Sequence, residues 1–169
     1  PRQDWDLFDA DVLSWHSPGS IGEKLANDLV ELRELIEPVS ARLAASRATE
    51  EDIDRMEIAF RQMEAGIDHL ETFYAGDLAF HLAVLASCHN QLMQRLDGII
   101  GRVLGLSFEL QKDTLVGPLE GLEAHYLIID RIRARDRRGS ERAMRAVIGR
   151  AKDEIDRRVE WPRPPNATS

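Results

Sequence analysis

Cysteine and aromatic residues are scarce in this chain of 169 residues, with one Cys and 6% Phe, Trp and Tyr. The single Cys88 excludes an intrachain disulfide framework, and we expect it to be a small buried core residue. No apolar run approaches the roughly 20 residues of a membrane-spanning helix, so no membrane partner is expected. Residues 1–5 carry neither an initiator Met nor a signal-peptide pattern, which favours a cytoplasmic fragment or a processed product.

Positive charge is also in short supply. Asp and Glu number 30 against 22 Lys and Arg, which gives a formal net charge of -8 at pH 7. This balance argues against a surface that contacts nucleic acid, because phosphate binding requires a basic face. The arginine-rich run at 131–138 is a local exception. We interpret it as a solvated helix end, where cations are favourable near the C-terminal dipole.

What the chain has in quantity is the composition of packed helices. Hydrophobic residues make up 43% of it, and its length suits one domain with a core. Leu and Ile recur at helical spacing in successive segments, and no strand pattern or internal repeat is visible. The sequence therefore predicts an all-α fold, an antiparallel bundle of six to seven helices. We expect a linker arm at 1–19, the helical domain at 20–161 and a disordered tail at 162–169.

Several residues predict where helices begin or break. Thr49, followed by three acids, is typical of a helix N-terminus. Asn90 is a plausible cap for the fourth helix, whose core face would include Leu92. Pro38 should kink or split the first long helix. A Gly-Ser step later breaks the chain, so that Ser140 would cap the last helix.

One pair of polar residues stands out within an apolar segment. Asp77 and His81 are four positions apart, so on a helix they project from the same face. His125 lies alone on a later apolar segment. Burying a carboxylate and an imidazole without partners is costly, and a shared cation is a natural partner. The alternative is a metal-free pocket in which Asp77 hydrogen-bonds both imidazoles. His16, His69 and His89 are expected to be surface or capping residues.

Two arginines are candidates for binding an organic acid. Arg33 lies on the first long helix and is four residues from Glu37, so a simple ion pair is one interpretation. The other is a guanidinium that clamps a carboxylate, which suits its planar fork. Arg102, among apolar residues in a glycine-containing helix, is a second candidate for the same role.

Four motifs in order carry a resemblance to a known family: DLVELRELIEP at 28–38, DLAFH at 77–81, EAH at 123–125 and AMRA at 143–146. The chain resembles the C-terminal effector domain of GntR-type bacterial transcription regulators, the FCD (FadR C-terminal domain) family. Residues 1–13 resemble the linker of members that sense sugar acids such as galactonate or gluconate. In this family a winged helix-turn-helix precedes the linker and binds operator DNA, and the protein is a homodimer. We therefore expect the sensing half of such a regulator, which should not bind DNA unaided.

The resemblance also implies a metal site. Metal-binding members use an Asp, a His four residues later and two further His on the last two helices. Asp77, His81 and His125 match the first three, while the fourth position falls on Val147, which cannot ligate. Three such ligands can still hold a divalent metal, Zn²⁺ or Ni²⁺, with open positions for an effector. We expect a small carboxylate, a sugar acid, to bridge the metal and Arg33.

Two other functions stay open at this point. Two His and one carboxylate with open positions also suit a metal-dependent enzyme acting on a small organic acid. No clear general base or nucleophile accompanies the set, so we expect no enzyme. A purely structural dimerisation module would instead predict that alanine at His81 and His125 leaves stability unchanged.

Overall fold

The computed structural model of the protein describes residues 23–111 and 118–158, and every regular element in these ranges is a helix. The all-α prediction is confirmed. None of these helices is both long enough and apolar enough to cross a bilayer. The predicted arm at 1–19 and tail at 162–169 lie outside the described residues. The seven helices are α1 (Glu23–Arg47), α2 (Glu50–Ala65), α3 (Leu70–Ser87), α4 (Gln91–Gln94), α5 (Asp97–Gln111), α6 (Pro118–Arg133) and α7 (Arg137–Arg158).

The main core lies between α1, α2, α3, α6 and α7. Each helix contributes apolar side chains at three- or four-residue spacing, as the periodicity predicted. Full burial of each large side chain contributes about 1.5–3 kcal/mol. A smaller cluster joins α1 to α5. Representative fully buried residues of the main core are Met56, Phe80, Ile128 and Met144, and Cys88 is buried as expected.

The N-terminus of α2 is fixed by a capping box. The Thr49 hydroxyl accepts from the Asp52 backbone N–H at 3.2 Å, and the Asp52 carboxylate accepts from the Thr49 N–H at 2.8 Å. The buried Asp52 carboxylate also contacts Nε2 of His89 at 2.7 Å and pairs with Arg55. His89 therefore ties the loop after α3 to the start of α2. The His89 side chain is itself exposed, which confirms the predicted surface position.

The predicted fourth helix is broken in two. Asn90 caps it as expected, but the helix ends after Gln91–Gln94 and restarts at Asp97. The prediction that Leu92 belongs to the core face is wrong, because its side chain is 81% exposed. A periodicity counted across a helix break loses its phase. Residues after the break, such as the buried Ile99, do follow the predicted face.

The last helix begins three residues before the predicted cap. Asp136 takes that role, since its carboxylate accepts from the Gly139 N–H at 2.8 Å. The prediction for Ser140 is wrong: it is buried within the first turn, and its hydroxyl donates to the Ala41 carbonyl at 3.2 Å. A β-carbon on Gly139 would collide with the Asp136 carboxylate. The missing side chain of Gly139 therefore leaves room for the capping carboxylate of Asp136, and the Gly-Ser step does not break the helix.

Pro38 does not split α1, which runs without a break from Glu23 to Arg47. Proline lacks the N–H that would bond the carbonyl of Glu34 one turn earlier. The Arg145 guanidinium on α7 donates to that carbonyl at 3.4 Å. The missing helical hydrogen bond is thus replaced by one from a neighbouring helix.

Gly76 brings α3 close to α2 immediately before Asp77. A β-carbon at this position would lie 2.7 Å from the Met63 backbone nitrogen and 3.0 Å from the Ala59 carbonyl oxygen. Both are backbone atoms, so rotating a side chain cannot relieve the overlap. The absence of a side chain at Gly76 therefore sets the spacing of the two helices.

We expect Gly76→Ala to lower the free energy of unfolding by about 1–3 kcal/mol, because the α2 backbone must move. The matched control is Gly149→Ala on α7, where an added β-carbon meets nothing within 4 Å. That change should stabilise the protein by about 0.5–1 kcal/mol, the usual gain of Ala over Gly in a helix. Urea denaturation of both variants measures the difference, and effects of the same sign would contradict the close approach.

We expect Asp52→Asn to lower the free energy of unfolding by about 1–3 kcal/mol at pH 7, because hydrogen bonds to a buried charge are lost. Burial alone raises the pKa of Asp52, but hydrogen bonds from Thr49, His89 and Arg55 outweigh it and lower the pKa. The contribution is therefore fully present above the ordinary carboxyl pKa of about 4 and is lost as the pH falls below it. Urea titrations of the wild type and the variant should give different free energies of unfolding at neutral pH and similar ones at acid pH. A difference between the two proteins that does not depend on pH would contradict this assignment.

Candidate metal centre

Three polar side chains meet inside the bundle. Asp77 and His81 lie one turn apart on α3, and His125 lies on α6. The two imidazoles are 1% and 5% exposed. Nε2 of His125 is 3.0 Å from Oδ1 of Asp77, Nε2 of His81 is 3.7 Å from the same oxygen, and the two Nε2 atoms are 3.4 Å apart. The structure thus brings together the three residues that the sequence singled out.

The nitrogen of each imidazole that does not face Asp77, Nδ1, also has a close contact. Nδ1 of His125 donates to the Gly121 carbonyl at 2.6 Å, one turn earlier in α6. Nδ1 of His81 lies 2.5 Å from Oε2 of Glu37 on α1, as an ion pair without the alignment of a full hydrogen bond. These contacts assign a proton to each Nδ1, and the two Nε2 atoms are the ring nitrogens that face Asp77. This is the arrangement in which histidine usually binds a metal.

Phe80 forms an apolar wall beside both imidazoles. Its ring centroid lies 5.1 Å from that of His125 and 5.9 Å from that of His81, edge to face in both cases. Phe80 is itself fully buried. Packing on the ring faces limits how far the imidazoles can tilt, and the apolar surroundings strengthen the electrostatic interactions at the site.

The charges of the site support one another. Burial alone raises the pKa of Glu37, but Arg33 and His81 outweigh it and lower the pKa to about 2. Burial alone lowers the pKa of His81, but Glu37 and Asp77 raise it to about 9. Burial also raises the pKa of Asp77, and His81 and His125 reverse this and lower it. This raised pKa favours the doubly protonated form of His81 at neutral pH, and a divalent cation would compete with the proton on Nε2.

The donor atoms fit a small divalent cation. Two ligands at about 2.0–2.1 Å from a tetrahedral Zn²⁺ lie roughly 3.3 Å apart. The three measured separations, 3.0, 3.4 and 3.7 Å, fall around that value. Two imidazole nitrogens and one carboxylate oxygen also match the ligand preferences of Zn²⁺ and Ni²⁺. The donor set and its spacing are therefore compatible with one shared ion.

The other predicted site residues occupy different surroundings. Arg33 is buried, and its Nε contacts Oε1 of Glu37 at 2.6 Å, so the simple ion pair of the two interpretations is present. Arg102 has an exposed side chain on α5. A ligand-binding role for either arginine stays a prediction. Val147, at the position of the missing fourth ligand, is buried in the main core.

The contact of Glu37 with His81 was not predicted from the sequence. Only the spacing of four residues between Glu37 and Arg33 was visible there. The contact with His81 joins α1 to α3, and nothing in the local spacing indicates it. Of the remaining histidines, His69 is exposed at the N-cap position of α3 without a capping hydrogen bond, as expected, and His16 lies outside the described residues.

The family model of the FCD domain matches residues 28–150 of the chain. The chain belongs to the FCD domain family. It is 35% identical over 150 residues to the galactonate operon transcriptional repressor of Escherichia coli (strain K12), which covers 88% of this chain and 65% of that protein. It is also 34% identical over 86 residues to the HTH-type transcriptional regulator LutR of Bacillus subtilis (strain 168), covering 51% and 38% of the two chains. This FCD domain thus spans about two thirds or less of the length of these relatives.

Solved structures give the same assignment. Streptococcus agalactiae GntR aligns with a TM-score of 0.64 and 26% identity, over 78% of this chain and 60% of that one. E. coli McbR/YncC aligns with a TM-score of 0.72 over 81% and 66% of the chains, and at 13% identity it supports the fold alone. The chain is therefore an FCD domain similar to those of GntR-type regulators. Its relatives are transcriptional regulators and not enzymes, as the sequence predicted.

Proposed function

We propose that this FCD domain senses a small carboxylate of the sugar-acid class together with a divalent metal ion. Asp77, His81 and His125 would hold Zn²⁺ or Ni²⁺. The observation that carries the proposal is the convergence of two Nε2 atoms and one carboxylate oxygen, with the other nitrogen of each ring already engaged. The metal, when bound, would offer open positions to the carboxylate and hydroxyl of the effector.

Arg33 would provide the second charge for the effector. Its contact with Glu37 uses Nε, so that contact does not occupy the two terminal nitrogens of the guanidinium. Burial lowers the pKa of Arg33, but Glu37 and Asp77 raise it above its ordinary value, so its charge is retained beside the metal site. A planar guanidinium is well suited to a carboxylate. Arg102, exposed on α5, is the second candidate for this role.

The class of effector is inferred from the Escherichia coli relative, a repressor of a galactonate operon. Operator DNA would be bound through a separate winged helix-turn-helix, in a cytoplasmic homodimer. The net charge of -8 opposes phosphate binding by this domain itself. An effector would change DNA affinity only by binding two arrangements of the regulator with different affinities.

A divalent metal should stabilise the protein. At a free Zn²⁺ or Ni²⁺ concentration of 100 times Kd, binding adds about 2.7 kcal/mol to the free energy of unfolding. Alanine at His81 or His125 should abolish this gain, whereas alanine at the exposed His69 should preserve it. Thermal denaturation with and without EDTA, together with metal analysis of the purified protein, measures the effect. No metal-dependent gain in the wild type would refute the proposed metal and favour a purely structural module.

A sugar acid should stabilise the metal-loaded protein further. We expect galactonate or gluconate to bind, and neutral galactose not to bind, because the charge of the carboxylate is required. Arg33→Lys should reduce affinity for the acid, since it keeps a charge beside Glu37 but loses the planar fork of the guanidinium. Calorimetric titration of each sugar into wild type and variant tests this, with and without EDTA. Equal binding of the acid and the neutral sugar would contradict the proposed recognition.

A further inference from the structure

Glu37 is not among the three candidate ligands, yet it contacts the site from α1. Its side chain is 2% exposed, and each of its oxygens has one close contact with a nitrogen atom. Oε1 accepts from Arg33 at 2.6 Å, and Oε2 lies 2.5 Å from Nδ1 of His81. We propose that Glu37 is the positioning residue of the metal centre, which fixes the ring of His81 so that its Nε2 faces Asp77 and His125. This inference rests on the proposed metal function.

The chemistry of the imidazole ring explains why an acceptor is needed there. A rotation of the His81 ring by half a turn exchanges Nδ1 with a carbon and Nε2 with another carbon. With Glu37 in place, the rotated ring would turn a C–H group toward Oε2 of the buried carboxylate, and leaving that oxygen without a donor is costly. Without Glu37, the rotated ring no longer carries this penalty. The carboxylate therefore selects the one orientation in which His81 can be a ligand.

The two histidines differ in how they are oriented. His125 is held by the backbone carbonyl of Gly121, within its own helix. His81 is held by a side chain from a different helix. Changing a side chain can therefore release His81, whereas the acceptor of His125 belongs to the helix itself. This asymmetry makes Glu37 the position at which the proposal can be tested.

Arg33 allows Glu37 to stay ionised in the interior. A buried carboxylate without a counter-charge is strongly destabilising, whereas a buried pair can be replaced by apolar groups at little cost in stability. An ionised carboxylate behind the ring also increases the basicity of the ligating nitrogen. The buried pair thus supplies both the orientation and the electron density that a metal ligand requires.

The test compares three variants with the wild type. Glu37→Gln keeps the shape of the side chain and removes its charge. The double variant Arg33→Leu, Glu37→Leu removes the buried pair as a unit, so that no charge is left uncompensated. The matched control is Asp52→Asn, which breaks a carboxylate–imidazole contact outside the site, that of the buried Asp52 with His89 at 2.7 Å, and should lower stability without touching the site.

Zn²⁺ affinity is measured by chelator competition, and the fold of each variant by circular dichroism. We expect Glu37→Gln and the double variant to stay folded and to lose about 10–100-fold in affinity, the usual effect of removing a partner of a ligating His. Asp52→Asn should keep the wild-type affinity. Unchanged affinity in both folded Glu37 variants would overturn the inference. An equal loss in Asp52→Asn would also overturn it, because destabilisation alone would then explain the effect.

A second measurement uses the metal-free protein. The proton on Nδ1 of His81, buried against Glu37, should exchange slowly with solvent and give a detectable NMR signal in the wild type. It should be lost or shifted upfield in both Glu37 variants and unchanged in Asp52→Asn. If the wild type binds no Zn²⁺, the proposed function fails, and this signal still decides the orientation: its absence in the wild type overturns the positioning role.

Discussion

The arrangement of the candidate site depends on a buried cluster of charges whose members satisfy one another. Each charged or polar side chain of the cluster has its partner on another turn or another helix. The members lie in or beside the core and are Arg33, Glu37, Asp77, His81 and His125. Removing an ion from water costs several kcal/mol after relaxation, and only well-placed partners offset this. The helices α1, α3 and α6 must therefore meet at a fixed separation. Loosening that separation would leave charges unpaired in the interior.

The apolar part of the fold maintains this separation. Phe80 lies on α3 beside His81 and packs against both imidazoles, so one side chain belongs to the core and to the wall of the site. Gly76 allows α3 to approach α2 directly before Asp77. The site is thus formed by side chains on helices rather than on loops, which limits how far its donor atoms can move. Such preorganisation reduces the cost of ordering side chains on binding.

Local signals in the sequence predicted local features well. The spacing of Asp77 and His81 places them on one helical face whatever the fold, and the Thr49 cap depends on residues within one turn. Interactions between distant segments were not predictable in the same way. Ser140 looked like a cap because its type is right, but Asp136 takes the cap while Ser140 contacts α1.

Contacts between separate helices do not produce a periodic pattern in the sequence. The contact of Glu37 with His81 is one example, since only the packed bundle brings the two residues together. The convergence of His125 with the Asp77 pair could be proposed from residue type and from family resemblance. Spacing along the chain alone did not establish it.

The continuity of α1 has a mechanical consequence. Glu37 lies about four turns, or roughly 21 Å, beyond the first residue of this helix at Glu23. Arg145 donates to the carbonyl that Pro38 leaves without its helical donor, and α1 continues past this residue as one element. If α1 moves as one rod, a tilt about a point near Glu37 displaces its first residue in proportion to this distance.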